Sequence, residues 1–358
     1  MALALRRTGM NVTLFQGAPG GAEPWRRPLP CLRRFQPSTR RLHSVTRRLG
    51  GWRYGCGSEY EIEQSTFAAS LWRAIHRDFD LLHVQDYRVA RTLDALHRIG
   101  RSRPRVIFGN GTEESQSDLQ KLSCVQHLAP YHQQVFEPYR PAGQLSFAVP
   151  CFVDTDSFRP GNRTDARAGW GLPQHALIIL SVAALKNTHK RCDYLIREFA
   201  AFRQTFSAPS LLVLAGAREN ETPEVAELGK SLLGDSFLML ESVDRPRILS
   251  LYRAADIFAL ASLYEMLGIV VLEAGACGLP VTCSNTAVLA WAAGPASRLE
   301  DISVPGGFVR QWMRLVDPDA RNATGAQARI HVETTFSEPV VLKQVQDMYA
   351  SVMAQSQQ

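Results

Sequence analysis

The sequence predicts an α/β protein built on two parallel sheets, and three observations favour this class. Short apolar runs alternate with amphipathic helical patterns along most of the 358 residues, as is typical of βαβ units. The runs are apolar throughout, as expected for strands that helices cover on both faces. A stretch rich in glycine, proline and charge at 158–173 divides the runs into two sets, so we expect two domains joined by a linker.

The individual elements follow from these runs in chain order. The predicted strands of the first domain are Val12–Phe15, Leu81–Val84, Arg105–Phe108 and Leu145–Val149. Those of the second domain are Leu177–Val182, Leu211–Ala215, Phe237–Leu240, Ile257–Leu260 and Val281–Cys283. Helical patterns cover Phe67–Arg77, Val89–Ile99, Asp193–Phe206, Pro223–Leu233, Arg245–Ala255, Gly268–Cys277 and Val340–Met353. We place the domain boundaries at 1–160 and 161–335, with a final helix in 336–358 that we expect to pack on the first domain.

Composition excludes several classes of protein. No window reaches the 18 consecutive apolar residues of a membrane span, and the apolar run at Met1–Leu5 is too short for a signal peptide. The seven cysteines are odd in number and scattered, and none forms a C-x2-C pair. This pattern predicts free thiols in a reducing cytoplasm and argues against a disulfide framework or a zinc site.

Positive charge is concentrated near the start of the chain. Residues 1–60 hold eleven Arg, ten of them in doublets, and only two Glu. This stretch is suited to an anionic membrane face or a polyanionic acceptor. The simpler interpretation, which we favour, is a solvated and flexible basic loop. No recognition motif accompanies the charge, so we do not expect nucleic acid as a partner.

The most informative motif is a pair of carboxylates, Glu265 and Glu273, that stand eight positions apart around Gly268. Eight residues are slightly more than two helical turns. If the helix starts at the glycine, Glu265 lies in the loop before it and Glu273 inside it. The N–H groups and the dipole at a helix start favour an anion, so the motif suits a phosphorylated ligand rich in hydroxyl groups. Two glutamates at this spacing alone also fit solvated helix residues.

The flanks make the motif specific, because the second half of the chain resembles the retaining, family-4 type (group 1) glycosyltransferases of the GT-B fold. The resemblance rests on the order and spacing of five segments. They are Val149–Pro160, which looks like the hinge between domains, Ile179–Ile196, Leu211–Gly216, Leu251–Ser262 and Glu265–Pro280. It implies two Rossmann-like domains with parallel sheets facing across a cleft, and a nucleotide diphosphate sugar as donor.

The resemblance also implies how the donor is held without a metal or another cofactor. Basic side chains would meet the charge of the diphosphate, and Lys190 matches one of the two that the family uses. Ala184 takes the usual place of the family's arginine, so Lys186 or Arg191 would have to compensate. Gly216, at the turn after the second strand, belongs to the same implied donor site.

The two glutamates have implied roles on the donor itself. Glu265 would accept hydrogen bonds from the sugar hydroxyls, and Glu273 from the ribose hydroxyls. Backbone N–H groups of Met266, Leu267 and Gly268 would face the phosphate or the sugar. The pair is not interpreted as the acid and nucleophile of a glycosidase, because in this family the glutamates bind the donor.

The first half of the chain conforms less closely to the family. His83, at the end of a predicted strand, and Asn110, where many relatives carry a histidine, complete the catalytic candidates with Glu265 and Lys190. His127 and His132 are weaker candidates. The chain opens on what looks like the end of the family's first helix, so we expect the family's first strand and glycine loop to be absent.

These observations lead to one hypothesis of function and two alternatives. We expect a metal-independent glycosyltransferase that acts with retention on a glycan or lipid-linked acceptor, with a possible site of action at the inner face of an anionic membrane. The first alternative is a non-catalytic GT-B remnant that binds a nucleotide sugar or a partner. The second is a sugar-nucleotide epimerase.

Overall fold

A computed structural model describes residues 1–17, 23–302 and 304–355. The chain divides into two compact units. The first comprises Met1–Pro150 together with Leu342–Gln358, and the second comprises Cys151–Val341. Each unit contains parallel sheet covered by helices, which confirms the predicted fold class.

The first unit is built on a four-stranded parallel sheet with the strand order β3-β4-β5-β6, and strands β1 and β2 form a separate parallel pair. Apolar side chains of α3 and α4, including Leu71, Ile75 and Leu93, cover Phe108 of β4. The elements are α1 (Ala2–Arg7), β1 (Leu14–Gln16), β2 (Arg26–Pro28), α2 (Pro37–Arg48), α3 (Glu59–Ile75), β3 (Leu81–Val84), α4 (Tyr87–Arg98), β4 (Arg105–Asn110), α5 (Gln116–Leu119), β5 (Cys124–His127), α6 (Pro130–Phe136) and β6 (Leu145–Ala148).

The second unit is built on a six-stranded parallel sheet with the order β12-β11-β10-β7-β8-β9. Its core contains an aromatic cluster in which Phe199, Phe202 and Phe308 pack around Trp312. The elements are α7 (Arg163–Trp170), β7 (Leu177–Val182), α8 (Cys192–Thr205), β8 (Ser210–Gly216), α9 (Thr222–Leu233), β9 (Phe237–Glu241), α10 (Arg245–Ala254), β10 (Ile257–Leu260), α11 (Ile269–Ala276), β11 (Val281–Ser284), α12 (Ala287–Ala293), β12 (Arg298–Glu300), α13 (Gly307–Met313) and α14 (Pro318–Phe336). The last helix, α15 (Glu338–Ala354), begins in the second unit and belongs to the first unit from Leu342 onward.

Short polar side chains fix where several helices begin. Ser58 accepts a hydrogen bond from the backbone N–H of Glu61 at the start of α3, and Asp86 does the same for Val89 in α4. These side chains satisfy donors that have no partner inside the helix. Each helix therefore starts at a defined residue after its strand or loop, which fixes the position of the strand ends that carry the candidate site.

Two segments that we predicted to be irregular are helical. The arginine-rich stretch contains α2, so the prediction of a flexible basic loop is wrong there. Thr39, His43 and Thr46 of α2 lie on its inner side, where they are buried or partly buried. The predicted linker 158–173 contains α7, and the Arg167 guanidinium on that helix is buried against the Asp256 carboxylate at 2.6 Å.

Two predictions from composition have direct counterparts in the structure. All seven cysteines are free thiols, as predicted from their number and spacing. Within the part of the chain that is described, no helix is long and apolar enough to cross a membrane.

Candidate functional site

An ion pair between Lys190 and Glu265 lies at the carboxyl edge of the sheet in the second unit. Lys190 belongs to the loop between β7 and α8, and Glu265 to the loop between β10 and α11. Because β7 and β10 are paired in parallel, both loops leave the same edge of the sheet. The Lys190 Nζ and Glu265 Oε1 atoms are 2.6 Å apart, with side chains 17% and 15% exposed. A cation and an anion are thus held together with little access to water.

The two loops are also fastened together beside this pair. The rings of His189 and Tyr264 are stacked with centroids 4.2 Å apart, and His189 Nε2 lies 2.8 Å from the carbonyl oxygen of Tyr264. The backbone N–H of Leu263 donates to the carbonyl oxygen of His189 at 3.1 Å. These contacts fix the positions of Lys190 and Glu265 relative to one another.

Helix α11 begins immediately after Glu265, as the sequence predicted. Its N-cap, Gly268, has a φ of 80°, and a Cβ there would lie 2.9 Å from the side chain of Leu289. Glycine is therefore required at this turn. Among the described residues, the N–H groups of Met266, Leu267 and Gly268 have no hydrogen-bond acceptor. Free N–H groups at a helix start beside a lysine form an environment suited to an anion.

Glu273 lies about one turn into α11 and is only 4% exposed. Its Oε1 accepts a hydrogen bond from the Arg245 guanidinium at 2.8 Å, and its Oε2 accepts one from the Tyr252 hydroxyl at 3.0 Å. Burial raises the pKa of Glu273, and the arginine and tyrosine offset part of that rise. Each carboxylate oxygen can accept a further hydrogen bond, so Glu273 retains capacity for a ligand hydroxyl.

Arg191 is a predicted donor residue that the structure does not bring to the ion pair. It adopts a left-handed backbone conformation with a φ of 51° at the N-cap of α8. Its guanidinium lies over the ring of Tyr194, 4.5 Å from the centroid, and donates to the carbonyl oxygen of Ile302 at 3.3 Å. In this arrangement Arg191 does not compensate for the alanine at position 184.

The remaining predicted lysine, Lys186, lies near a different carboxylate. It contributes to lowering the pKa of Glu221, although hydrogen bonds from Thr188 and from the N–H of Asn187 contribute more. Glu221 thereby anchors the loop that leads to Lys190. Of the three basic candidates, only Lys190 contacts Glu265.

Gly216 is constrained by packing at the end of β8. A Cβ at this position would lie 1.6 Å from the carbonyl oxygen of Ala183, which no adjustment of a side chain can relieve. Its own carbonyl oxygen accepts a hydrogen bond from the N–H of Ser242 at 2.7 Å. The glycine thus allows the ends of β7 and β8 to approach closely beside the loop that carries Lys190.

In the first unit, His83 lies in β3 and is linked to the C-terminal helix. Its Nδ1 is 2.8 Å from the hydroxyl of Tyr349 on α15. Burial lowers the pKa of His83 to about 4, so the imidazole is neutral near pH 7. Its Nε2 atom is buried and has no partner among the described residues. A neutral histidine joined to a tyrosine in this way holds α15 against the sheet.

Asn110 and His127 lie side by side at the carboxyl ends of β4 and β5, as partners in the parallel register. They are 4% and 1% exposed. Neither the Asn110 Oδ1 nor either His127 ring nitrogen has a hydrogen-bond partner in the described structure. Burial, together with the nearby His132, lowers the pKa of His127 to about 4. Buried polar atoms without partners are costly, and they mark this strand edge as the candidate polar site of the first unit.

Sequence reasoning missed the partners that fix the site. Arg245 and Tyr252 come from α10, and His189 and Tyr264 form the stacked pair between the loops. Nothing in the local pattern distinguishes these residues from ordinary helix or loop residues, since each acquires its role through a distant segment. For Tyr252 the available signal was its place in the segment Leu251–Ser262, two residues before the end of α10.

In the described ranges, no group of three or more His, Cys, Asp or Glu side chains has a geometry that could hold a metal ion.

Much of the second half of the chain is similar in sequence to known proteins. Residues 162–296 match the model of the family described as glycosyl transferases group 1. The D-inositol 3-phosphate glycosyltransferase 2 of Catenulispora acidiphila is 30% identical over 208 residues, which are 55% of this chain and 48% of the relative. A D-inositol 3-phosphate glycosyltransferase of Kineococcus radiotolerans is 34% identical over 200 residues, 50% of this chain and 46% of the relative. The chain thus spans about half the length of these curated relatives.

Several solved structures have a similar fold. Sucrose-phosphate synthase from Thermosynechococcus elongatus aligns with a TM-score of 0.78 at 19% identity, over 99% of this chain and 92% of that one. Anabaena Alr3699/HepE in complex with UDP aligns with a TM-score of 0.67 at 17% identity, over 81% of this chain and 83% of that one. Together with the parallel sheets, these similarities confirm the GT-B fold class.

Proposed function

We propose that this protein transfers a sugar from a nucleotide diphosphate sugar to a hydroxyl group of an acceptor, since residues 162–296 match the family described as glycosyl transferases group 1. The observation that carries the proposal is the enclosed pair of Lys190 Nζ and Glu265 Oε1 beside the free N–H groups at the start of α11. The diphosphate of such a donor carries negative charge, which Lys190 can bind. Its sugar carries hydroxyl groups, which Glu265 can bind.

Lys190 has the first role, on the leaving group. When the bond from the sugar to the diphosphate breaks, negative charge grows on the phosphate oxygens. The Lys190 ammonium and the N–H groups of Met266 and Leu267 would stabilise that charge in place. Donors fixed before the reaction lower the barrier without reorganising, and each is typically worth a few kcal/mol.

The glutamates bind and orient the donor. Glu265 accepts hydrogen bonds from the sugar hydroxyls, with the Lys190 ammonium holding its carboxylate in place. Glu273 accepts hydrogen bonds from the ribose hydroxyls, on the lone pairs that Arg245 and Tyr252 leave free. Both carboxylates therefore position the substrate, and neither has to act as a nucleophile.

Three finer features complete the proposal. The reaction proceeds with retention and without a metal, as the resemblance to the family implies. A metal is not needed because Lys190 and the N–H groups at the start of α11 supply the positive charge. Uracil is the first base to test, because the structurally similar HepE was solved with UDP. An inositol phosphate is the first acceptor to test, because the relatives are named for D-inositol 3-phosphate.

The test is donor binding and turnover measured on the same protein. Binding of UDP-, GDP-, ADP- and CDP-sugars to the purified chain is measured by calorimetry, with and without EDTA, and transfer to D-inositol 3-phosphate is followed by NMR. We expect one nucleotide sugar to bind with or without EDTA, and the product to keep the anomeric configuration of the donor.

Other outcomes separate the alternatives. Binding without transfer to any of a panel of hydroxyl-bearing acceptors would favour the non-catalytic alternative, which the unfilled arginine position at Ala184 also favours. Epimerised nucleotide sugar as the product would favour the epimerase. No binding by the folded protein would refute the assignment of the donor site.

A further inference from the structure

Helix α2 carries a surface that the glycosyl transfer reaction does not use. Its inner side packs through Thr39, which is fully buried. On the same side, Thr46 donates its hydroxyl hydrogen bond to the carbonyl oxygen of Cys56 at 2.8 Å, and His43 Nε2 lies 3.0 Å from the carbonyl oxygen of Gly57. The polar side of the helix thus faces the protein, which leaves its aliphatic residues to face outward.

The aliphatic residues form a strip along the outside of the helix. Leu42, Val45 and Leu49 follow one another at spacings of three and four residues, so they lie next to each other on the helix surface. They are 38%, 54% and 76% exposed. Arg41 lies four residues before Val45, and Arg48 lies three residues after it, so both arginines border the strip. The described structure gives neither arginine an ion pair. We call these five residues the α2 face.

An exposed aromatic side chain precedes the helix in a strained conformation. Phe35 has a φ of 65°, which is an outlier for a bulky residue, and its side chain is 73% exposed. Glu59 of α3 accepts the N–H of Phe35 at 2.8 Å, and Glu63 accepts the Arg34 guanidinium at 2.6 Å. Conformations of this kind persist only where neighbouring contacts enforce them. Two glutamates therefore hold a turn that directs an aromatic ring into solvent.

The charge of the region identifies the kind of partner. Residues 24–58 contain nine Arg and no Asp or Glu. Three of these arginines pair with glutamates outside this range. Arg41 and Arg48, which form no ion pair in the described structure, favour an anionic partner. A soluble polyanion would neutralise the arginines but leave Phe35 and the aliphatic strip in water. A bilayer that contains anionic lipid satisfies both, because guanidinium groups bind lipid phosphates while apolar side chains enter the boundary of the acyl chains.

We propose that the α2 face, with Phe35, docks the protein on the surface of an anionic lipid bilayer. The helix lies in the plane of the interface and does not cross it, since Pro37–Arg48 is only twelve residues long. This inference stands on the exposed side chains of α2 alone, so it does not depend on the proposed glycosyl transfer.

The test is co-sedimentation of the full chain with vesicles. One set of vesicles contains phosphatidylcholine alone, and the other includes about 30% phosphatidylglycerol, a composition that gives a negative surface potential. We expect binding to the anionic vesicles that weakens in salt, and much weaker binding to the neutral ones. Arg41→Gln with Arg48→Gln should weaken binding about 30-fold, at roughly a tenfold loss for each 1.4 kcal/mol and about 1 kcal/mol for each arginine.

A second variant tests the apolar strip and has a matched control. Val45→Ser with Leu49→Ser should weaken vesicle binding at least about tenfold, because two partly inserted side chains are lost. Leu232→Ser with Ile330→Ser removes two exposed aliphatic side chains elsewhere and should bind as the wild type does. Arg197→Gln with Arg203→Gln is the corresponding control for charge, since both are exposed. Circular dichroism confirms that each variant is folded.

Three results would overturn the proposal. The first is no vesicle binding by the folded wild type. The second is equal binding to neutral and anionic vesicles. The third is a loss of binding in the arginine variant alone, with the wild type binding soluble polyphosphate as tightly as vesicles, which would identify a soluble polyanion as the partner.

Discussion

Lys190 Nζ and Glu265 Oε1 meet at 2.6 Å although 75 positions separate the two residues in the chain. The contact arises because β7 and β10 are neighbours in the sheet, so the loops that follow them leave the same edge. Stacking of His189 on Tyr264 then fixes the two loops to one another. The topology of the sheet, and not proximity in sequence, assembles the candidate donor site.

Replacement of Lys190 by alanine should reduce turnover strongly. The variant loses the ammonium that we assign to the leaving diphosphate, so we expect kcat/KM to fall by about 100-fold or more, the usual effect of removing one donor that stabilises developing charge. Steady-state kinetics with a saturating acceptor measures the change. Lys186→Ala is the matched control, because in the described structure Glu265 forms its ion pair with Lys190 and not with Lys186. Equal effects of the two substitutions would contradict the assignment of Lys190.

The buried carboxyl of Glu273 should make a pH-dependent contribution to stability. Its pKa is raised above the ordinary value of 4.5, so the folded protein binds the proton more tightly than the unfolded chain does. Stability from this group is therefore gained as pH falls toward 4.5 and lost as pH rises through the folded pKa. As the pH falls from 7 to 5, the free energy of unfolding of the wild type should therefore rise relative to that of Glu273→Gln. Urea midpoints of both proteins test this, and a difference that does not vary with pH would disprove it.

Two histidines of the first unit should act in the opposite direction. The pKa values of His83 and His127 are lowered from 6.5 to about 4 by burial. Between these values the unfolded chain is protonated and the folded protein is not, so stability falls as pH drops from about 6.5 to about 4. We expect His83→Gln and His127→Gln each to make this loss shallower in urea titrations. His175 is exposed, and His175→Gln should leave the slope unchanged; a change there would show that the effect is not specific to burial.

Strands buried on both faces could be predicted closely from the sequence. Leu177–Val182, which is buried at every position, was predicted with the bounds that the structure has, because a largely apolar run is a local property. The bounds of the partly buried strand Leu81–Val84 were also predicted. The strand Cys124–His127 was missed, since half of its side chains are polar even though all four residues are buried. Helix α2 was missed because its side that faces the protein carries threonine and histidine in place of aliphatic residues.

The candidate site could be predicted only as far as local periodicity reaches. The spacing from Glu265 to Glu273 placed one carboxylate before α11 and the other inside it, as observed. The Arg245 and Tyr252 contacts of Glu273 could not be predicted, because they depend on the packing of α10 against α11. The direction of the Arg191 side chain likewise depends on a carbonyl group 111 positions away.

Asp256 should be among the most important polar residues for the stability of the second unit. Its Oδ2 accepts hydrogen bonds from the Arg167 guanidinium at 2.6 Å and from the N–H of Ile178 at 2.8 Å, and both charged side chains are about 4–5% exposed. Asp256→Ala leaves a buried guanidinium without its carboxylate, which typically costs about 3–5 kcal/mol. Urea denaturation followed by tryptophan fluorescence measures the loss.

In the control Glu241→Ala, an exposed pair with Arg218 is broken and the cost should not exceed about 1 kcal/mol. Similar losses in both variants would mean that the buried pair does not anchor α7 to the sheet.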